Sequence, residues 1–328
     1  MPEFTPASWV TAWTWSWPGI AVAFVLAVPY VVLVSRARRL GHHWPIWRTA
    51  VYLVAGVGSL IYVTCGAIGS YRTTFLWCFG AEVGVIATIT PLALALGDPV
   101  GLAELLRPGS TRILQGRIAR VLMFPLFASV LSAASIFLIF FTPYALWAIT
   151  TQIGEFVLLL HLLIVGMLVV LPLLTKELLP AWATAPVKTV FAFADGLFDA
   201  IPGILVMTSS TLLIPDFPGF ASSRHAGFGT LLDQKFTGGA LLGVAEAIGV
   251  PLLAVVFVQW LRSDAVEAAE IDARLDDLEQ TANSRTTASP DAGNASAVDA
   301  GSPDRPWWLD DPRFADRYGR GNDRFPPD

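Results

Sequence analysis

Long apolar blocks of about twenty residues alternate with short polar connections along most of this chain. A helix needs about twenty mostly apolar residues to cross the hydrocarbon core of a bilayer. The pattern therefore predicts an all-α membrane protein, a bundle of about seven transmembrane helices. The predicted spans are residues 18–35, 48–69, 74–97, 119–141, 151–174, 188–213 and 238–262.

The connections between these spans differ in their content of Lys and Arg. The first, third and fifth connections hold Arg36, Arg38, Arg39, Arg48, Arg107, Arg112, Arg117, Arg120, Lys176 and Lys188. The second holds Arg72, the fourth neither residue type, and the sixth Arg224 and Lys235. Because cytoplasmic loops carry an excess of Lys and Arg, the odd connections are predicted to lie inside. Seven spans then place the N-terminus outside and the C-terminus in the cytoplasm.

Composition agrees with a membrane location and divides the chain into four parts. The chain is 54% hydrophobic and only 14% charged, whereas soluble domains carry about 25% charged residues. Four tryptophans before the first span fit an aromatic belt at the outer interface: Trp9, Trp13, Trp15 and Trp17. The predicted parts are an external segment 1–17, a transmembrane domain 18–262, a charged cytoplasmic helix 263–281 and a tail 282–328.

The tail and the first span each raise a separate question. Residues 282–305 are too poor in large apolar groups to fold, so the tail is expected to be disordered. Its last part regains Trp307 and Trp308, and the alternative is a short docking peptide for a cytoplasmic partner. No basic region precedes the first span, so this span is expected to be retained rather than removed as a signal peptide. The predicted location is the bacterial inner (cytoplasmic) membrane, with multiple passes.

Ionisable residues inside the predicted spans are the main candidates for function. Glu82, Glu155, His161, Asp199 and Glu246 all lie within spans. No Lys or Arg lies deep in any span, so these acids are expected to lack a basic partner at their own depth. A charge at mid-membrane costs at least about 2.5–3.5 kcal/mol and usually marks function. Such acids could be protonated, line a wet cavity or bind a cation.

The threading direction predicts where these side chains lie in the bilayer. At about 1.5 Å of rise per residue, Glu82, Glu155, His161 and Glu246 fall in the outer half, and Asp199 falls near the midplane. Asp233 precedes the last span in an outer loop. The sequence therefore predicts a polar centre that opens outward. For each acid the alternative is a protonated group bonded to a backbone carbonyl, and for His161 it is a packing histidine.

Two cysteines flank the short second connection, Cys65 before it and Cys78 after it. They could be buried small hydrophobes, a disulfide in an oxidising compartment, or soft ligands for copper(I). Cys78 and Glu82 share a helix face because they are four residues apart. The predicted metal ligands are Glu82, Glu155, His161, Asp199, Asp233, Glu246 and Cys78, and copper is the candidate cofactor.

Several motifs resemble the cytochrome c oxidase assembly factor family of the CtaG type, and the resemblance covers about residues 20–275. The last span opens with Leu232-Asp233-Gln234-Lys235-Phe236-Thr237-Gly238-Gly239, continues through Ala245-Glu246 and leaves with Trp260-Leu261-Arg262-Ser263-Asp264. Further similar segments are Leu96-Gly97-Asp98-Pro99, Pro143-Tyr144, the block from His161 to Gly166, and Ala200, Gly203 and Met207-Thr208-Ser209-Ser210-Thr211. The resemblance implies a multi-span factor that helps to deliver copper to the oxidase.

The chain departs from the family pattern at the histidines. Where members carry His-x-x-x-His in the third span, this chain reads Phe79-Gly80-Ala81-Glu82-Val83. Glu155 stands where a first histidine of the fifth span is found, Asp199 stands where the sixth span has one, and His161 is kept. Imidazole suits copper, whereas carboxylates prefer harder cations.

Three functions follow from these observations. The first is a cytochrome c oxidase assembly factor or copper-handling helper that contacts terminal oxidase subunits of the respiratory chain. The second is a carrier that moves protons or a cation through the acidic centre. The third is a metal-free scaffold or oxidase-associated subunit. The sequence has no Gly-x-Ser-x-Gly, phosphate loop or His-Glu-x-x-His motif, so no catalysis is expected, and no nucleic acid is an expected partner.

Overall fold

The computed structural model of the protein describes residues 4–110, 116–174, 185–221 and 229–287, and within these ranges the regular secondary structure is helical, without strands. The chain divides into two compact units, Met1–Ala265 and Val266–Asp328. In chain order the described helices are α1 (Ser8–Thr11), α2 (Trp17–Arg39), α3 (Ile46–Ala50), a π-helical segment (Val51–Val57), α4 (Gly58–Cys65), α5 (Ala67–Tyr71), α6 (Leu76–Ala87), α7 (Ile89–Leu96), α8 (Pro99–Leu106), α9 (Arg117–Leu122), α10 (Pro125–Phe140), α11 (Tyr144–Thr150), α12 (Gln152–Leu174), α13 (Ala185–Thr208), α14 (Pro218–Ala221) and α15 (Thr230–Thr287).

Four stretches of the described residues are long and apolar enough to cross a membrane. They are Trp17–Arg39, Ile46–Tyr71, Leu76–Leu106 and Gln152–Pro172. A fifth crossing is formed if α10 and α11, which bend by 69° at their junction, count as one span. The structure thus confirms a helical protein with four to five apolar spans. The count of seven and the orientation stay predictions.

The first span begins with a side-chain cap. Ser16 accepts a hydrogen bond from the backbone N–H of Gly19 at 2.9 Å, which satisfies one of the unpaired donors in the first turn of α2. The last turn of α2 holds Arg36, Arg38 and Arg39. Positive charge is favourable there because the carbonyl end of a helix carries a partial negative charge.

The second span is interrupted at Gly66, between α4 and α5. A Cβ at this position would lie 2.5 Å from the carbonyl oxygen of Tyr62, so only glycine fits without a shift of the backbone. The carbonyl of Cys65 accepts a hydrogen bond from the N–H of Thr14 at 2.7 Å. The break therefore attaches the segment before α2 to the end of α4, and it directs α5 toward the turn that carries Arg72.

The first three spans are joined a second time near the junction of α7 and α8, far from the break at Gly66. The Tyr30 hydroxyl donates to the carbonyl of Gly97 at 2.8 Å, and Arg48 forms an ion pair with Asp98 at 2.6 Å. The rings of Tyr30 and Tyr52 stack with their centroids 3.7 Å apart. These contacts hold α2, the π-helical segment and the C-terminal end of α7 together.

The centre of the first unit is α6, whose residues are almost all buried. Cys78, Phe79, Val83 and Ile86 are fully enclosed by the neighbouring helices. Around this helix the surface is apolar: α2, α12 and α13 expose large hydrophobic side chains such as Phe24. A buried central helix surrounded by helices with apolar outer faces is the arrangement expected of a bundle in lipid.

Helices α13 and α15 cross at two glycines. A Cβ on Gly238 would lie 2.4 Å from the carbonyl oxygen of Gly203 and 2.4 Å from the backbone nitrogen of Met207. Small residues allow such close backbone approach between helices in membranes. The crossing fixes the start of α15, and with it Asp233, next to the start of α6.

Candidate functional site

A buried arginine joins two acidic residues from different helices at one end of the bundle. Arg72, in the turn after α5, places its Nη1 atom 2.7 Å from Glu155 Oε1 and 3.1 Å from Glu82 Oε1. Glu82 lies on α6 and Glu155 in the first turn of α12. We call these three residues, together with Ser16, the Arg72 cluster.

Two neutral groups complete the Arg72 cluster. The Ser16 hydroxyl donates to Glu155 Oε1 at 2.6 Å, while Arg72 Nη2 donates to the carbonyl of Ala148 at 3.0 Å. Ser16 is also the residue that caps α2. The cluster therefore connects the start of α2, the turn after α5, helix α6 and the α11–α12 region.

Glu82 is the least satisfied member of the Arg72 cluster. Its side chain has no exposed area, one oxygen faces Arg72, and the other, Oε2, is fully buried without a hydrogen-bond partner. With both acids ionised the formal charges of Arg72, Glu82 and Glu155 sum to −1. A buried carboxylate oxygen without a donor costs free energy, so the arrangement depends strongly on the single positive charge.

The charge state of Arg72 follows from its surroundings. Burial alone would lower the pKa of this guanidinium, but the neighbouring Glu82 and Glu155 more than offset that effect, and the pKa of Arg72 is raised above its ordinary value. Arg72 therefore stays positively charged and is available to both carboxylates.

The expectation that these acids lack a basic partner at their own depth is wrong for Glu82 and Glu155. Arg72 lies at the edge of a predicted span rather than deep within one, and its long side chain reaches the acids from the turn. The signal that could have identified Arg72 was its position as a lone arginine in the second connection, ten positions before Glu82. Sequence reasoning also missed Ser16.

Asp233 lies close to the start of α6, and its role differs from that of the Arg72 cluster. Its two carboxylate oxygens accept hydrogen bonds from the backbone N–H groups of Leu76 and Trp77, at 2.9 and 3.0 Å. These donors belong to the first turn of α6, where negative charge is favourable. Asp233 is thus a helix cap supplied by another helix, and Cys78 is the residue that follows the capped Trp77 in α6.

The neighbouring Gln234 fixes the segment that precedes α14. Its side-chain oxygen accepts from the N–H of Leu213 at 2.7 Å, and its side-chain nitrogen donates to the carbonyl of Thr211 at 2.9 Å. The Asp-Gln pair at the start of α15 therefore holds two other parts of the chain, one through each side chain.

His161 and Asp199 each contact a different serine of α10. The His161 ring nitrogens lie 3.3 Å from the Tyr144 hydroxyl and 3.0 Å from the Ser135 hydroxyl. The Ser132 hydroxyl donates to Asp199 at 3.0 Å. These hydrogen bonds attach α12 and α13 to α10.

The remaining candidates are spread over the bundle. Glu246 is half-buried on α15. Cys65 and Cys78 are buried free thiols, so they do not form a disulfide here. Across the ranges that the structure describes, no group of three or more His, Cys, Asp or Glu side chains is close enough together to hold a metal ion. The structure brings Glu82 and Glu155 together and leaves His161, Asp199 and Glu246 elsewhere.

Comparison with known proteins gives one family. Residues 28–263 match the family model of the cytochrome c oxidase caa3 assembly factor, which is well over half of the chain. The match covers α3 to α14 completely, the second half of α2, and α15 as far as Ser263. The Arg72 cluster lies within it, except for Ser16.

Relatives from mycobacteria are longer than this chain. Uncharacterized proteins of Mycobacterium bovis and Mycobacterium tuberculosis are each 26% identical over 285 residues, which is 83% of this chain and 43% of theirs. An uncharacterized protein of Mycobacterium leprae is 24% identical over 269 residues, 78% of this chain and 40% of its own. The chain spans less than half the length of these relatives. No solved structure matches it significantly.

Proposed function

Because the chain belongs to the cytochrome c oxidase caa3 assembly factor family, we propose that it assists assembly of a terminal oxidase as a metal-free scaffold in the bacterial inner membrane. The observation that carries the scaffold assignment is the Arg72 cluster. By the resemblance, Glu155 stands where the fifth span of other members has a histidine, and Glu82 lies between Phe79 and Val83, which stand where the third span has its two. Both acids are used in an ion pair with Arg72. The proposal includes no catalytic step.

The other acidic candidates support the same assignment. Asp233 uses both oxygens to cap α6, and Asp199 accepts from Ser132. A carboxylate that already accepts hydrogen bonds from the protein must give them up to ligate a metal, which costs the free energy of leaving those donors unpaired. These carboxylates are therefore poor ligands for copper and are well suited to a role in helix packing.

The orientation in the proposal places the Arg72 cluster toward the outside. Arg36, Arg38 and Arg39 are exposed at the end of α2, where the positive-inside rule predicts cytoplasm. At the opposite end Arg72 is buried and paired with acids, so it adds little positive charge to that surface. With α15 leaving the bilayer on the arginine-rich side, residues 263–287 lie in the cytoplasm.

The function is tested in a host strain that lacks the gene and is complemented with the native chain or with variants. We expect the native chain to restore terminal oxidase activity and oxidase subunit levels in membranes, and Arg72→Gln to restore neither. Arg38→Gln, which changes an exposed arginine without a role in the cluster, is the matched control and should restore both. If the deletion leaves oxidase activity and subunit levels unchanged, the assembly role is wrong.

Copper handling is the second candidate, and the observation that favours it is the pair of buried free thiols. Cys78 lies one helical turn before Glu82 on α6, and Cys65 lies at the end of α4. Thiolates suit copper(I). Elemental analysis of protein purified from copper-supplemented cells separates the two candidates. If the native protein holds stoichiometric copper and a Cys65→Ser, Cys78→Ser double variant does not, the scaffold assignment is wrong and the protein is a copper-handling helper.

Transport of protons or a cation is the remaining alternative from the sequence. It is tested with the purified protein in liposomes under an imposed proton or sodium gradient. The scaffold proposal expects a flux no greater than that of empty liposomes. A flux that disappears in Glu82→Gln would favour a carrier instead.

A further inference from the structure

Helix α15 continues beyond the last apolar stretch and carries a narrow apolar stripe in the second compact unit. Ile271, Leu275 and Leu278 are exposed by 51%, 54% and 66% of their surface. Their spacing of four and three residues places them on one face of the helix. Ala268 lies three residues before Ile271 and extends the same face. We call these four residues the α15 stripe.

A stripe of this width is typical of a helix that packs against one other helix. Residues repeating at alternate spacings of three and four cover a narrow seam, whereas a helix lying against a protein core shows a broader apolar face. Three large hydrophobic side chains in succession on an otherwise charged, solvated helix are unfavourable unless a partner covers them.

The charges around the α15 stripe indicate what kind of partner fits. From Val266 to Thr287 the sequence has six acidic residues and two arginines. Glu270, Asp272 and Asp276 are exposed. Charged groups around an apolar seam select a partner of opposite sign and disfavour one of the same sign.

We propose that the α15 stripe is a docking surface for a basic amphipathic segment on the cytoplasmic face of a terminal oxidase subunit. The inference rests on the proposed function for the identity of the partner and for the side of the membrane. Cytoplasmic loops of membrane proteins are rich in Lys and Arg. Such loops therefore supply the charge that complements this helix.

Two other surfaces are disfavoured by charge. The cytoplasmic leaflet carries anionic lipids and a negative surface potential, which repels an acidic helix. A second copy of the chain would bring together two helices that each have six acidic residues and two arginines between Val266 and Thr287, so their net charges repel. A basic partner satisfies both the stripe and its flanks.

Site-specific photo-cross-linking in native membranes tests the proposal. A photoreactive residue replaces Leu275 in the full chain, which is co-expressed with the tagged subunits of the host's terminal oxidase. The matched control has the same residue in place of Ala273, which is exposed and lies about 160° around the helix from Leu275. We expect cross-links from position 275 to a basic cytoplasmic segment of an oxidase subunit, identified by mass spectrometry, and few from position 273.

Charge reversal supplies the second readout. Asp272→Lys together with Asp276→Lys should reduce the cross-linked product from position 275 by about tenfold, since like charges across an interface weaken binding. Chain levels in membranes should not change, because both residues are exposed. Equal cross-linking from positions 273 and 275, cross-links only to lipid, to a second copy or within the chain, or an unchanged yield after charge reversal would each overturn the proposal.

The outcome for docking is distinguishable from the outcome for the proposed function. If complementation shows that oxidase assembly needs the chain but position 275 gives no oxidase cross-link, the docking surface is wrong and the assembly role stands. If the deletion has no effect on the oxidase, the assembly role fails first, and the identity of the docking partner fails with it.

Discussion

Arg72 Nη1 lies 2.7 Å from Glu155 Oε1, and this ion pair joins the turn after α5 to the first turn of α12. The two residues are far apart in sequence and both are buried. The contact is therefore tertiary in origin, and it gives one charged group a direct influence on the packing of several helices. The first two predictions test it.

Replacing Arg72 with Gln should destabilise the protein strongly. The change leaves two carboxylates without their positive partner, and removing one member of a buried pair costs about 3–5 kcal/mol. The measurement is thermal or denaturant unfolding of the purified chain in detergent. The control variant Arg38→Gln should change stability by less than about 0.5 kcal/mol, as exposed substitutions usually do. Equal stability of the two variants would contradict the role of the cluster.

Glu82→Gln and Glu155→Gln should differ although both remove one negative charge. Glu155 has the shorter contact with Arg72 and also accepts from Ser16, whereas one Glu82 oxygen is buried without a partner. We expect Glu155→Gln to cost about 1–3 kcal/mol more than Glu82→Gln, because hydrogen bonds to charged groups are the stronger ones. Unfolding of both variants under the same conditions measures the difference, and the opposite order would contradict this account.

Removing the cap at Asp233 should loosen the start of α6. Asp233→Ala leaves the N–H groups of Leu76 and Trp77 without their acceptor, and loss of an N-terminal cap costs about 0.5–2 kcal/mol. Faster hydrogen exchange should be confined to the first turn of α6. Asp216→Ala, at an exposed position, should leave exchange there unchanged. The cap assignment is wrong if both variants exchange at the native rate.

Adding one methyl group at the helix crossing should separate α13 from α15. Gly238→Ala would bring a Cβ within 2.4 Å of backbone atoms on α13, whereas a Cβ on Gly239 meets nothing within 4 Å. We expect Gly238→Ala to cost about 1–3 kcal/mol, as overpacking does, and Gly239→Ala to be neutral or slightly stabilising. A comparison of their unfolding midpoints checks this, and similar values would show that the helices do not cross here.

Several features of the fold could be predicted from the sequence. The all-α class and the positions of the first three spans follow from apolar blocks that are long enough to cross a bilayer, and the described helices confirm them. The fourth predicted span, 119–141, contains the break between α9 and α10, and α11, which follows it, is bent by 69° relative to α10. The sixth predicted span overlaps α13 and the seventh lies within α15. Among the described residues of these two helices, the stretch Gly196–Thr208 is apolar but shorter than a full span. The tail was predicted to begin at residue 282, but α15 continues to Thr287, so the expectation of disorder is wrong for residues 282–287. The rest of the predicted tail, from residue 288 onward, lies outside the described residues.

The candidate site could be predicted only in part. Glu82 and Glu155 were identified because acids within apolar segments are costly, and both belong to the Arg72 cluster. Their partner was missed because hydropathy places a residue in depth but does not show which way a long side chain reaches. Asp233 was interpreted as a ligand, whereas it caps α6, and a cap supplied by another helix leaves no mark in the local sequence of the helix that it caps.

The sequence by itself determined the helical class, the membrane location and the set of residues whose burial needs a compensating partner, because each of these depends on the composition of a single segment. Only the tertiary structure decided which partner each residue has. That choice depends on helix crossings such as the one at Gly203 and Gly238, and on whether Arg72 can reach Glu155 across the bundle. Both are properties of several segments packed together, and no one of those segments encodes them alone.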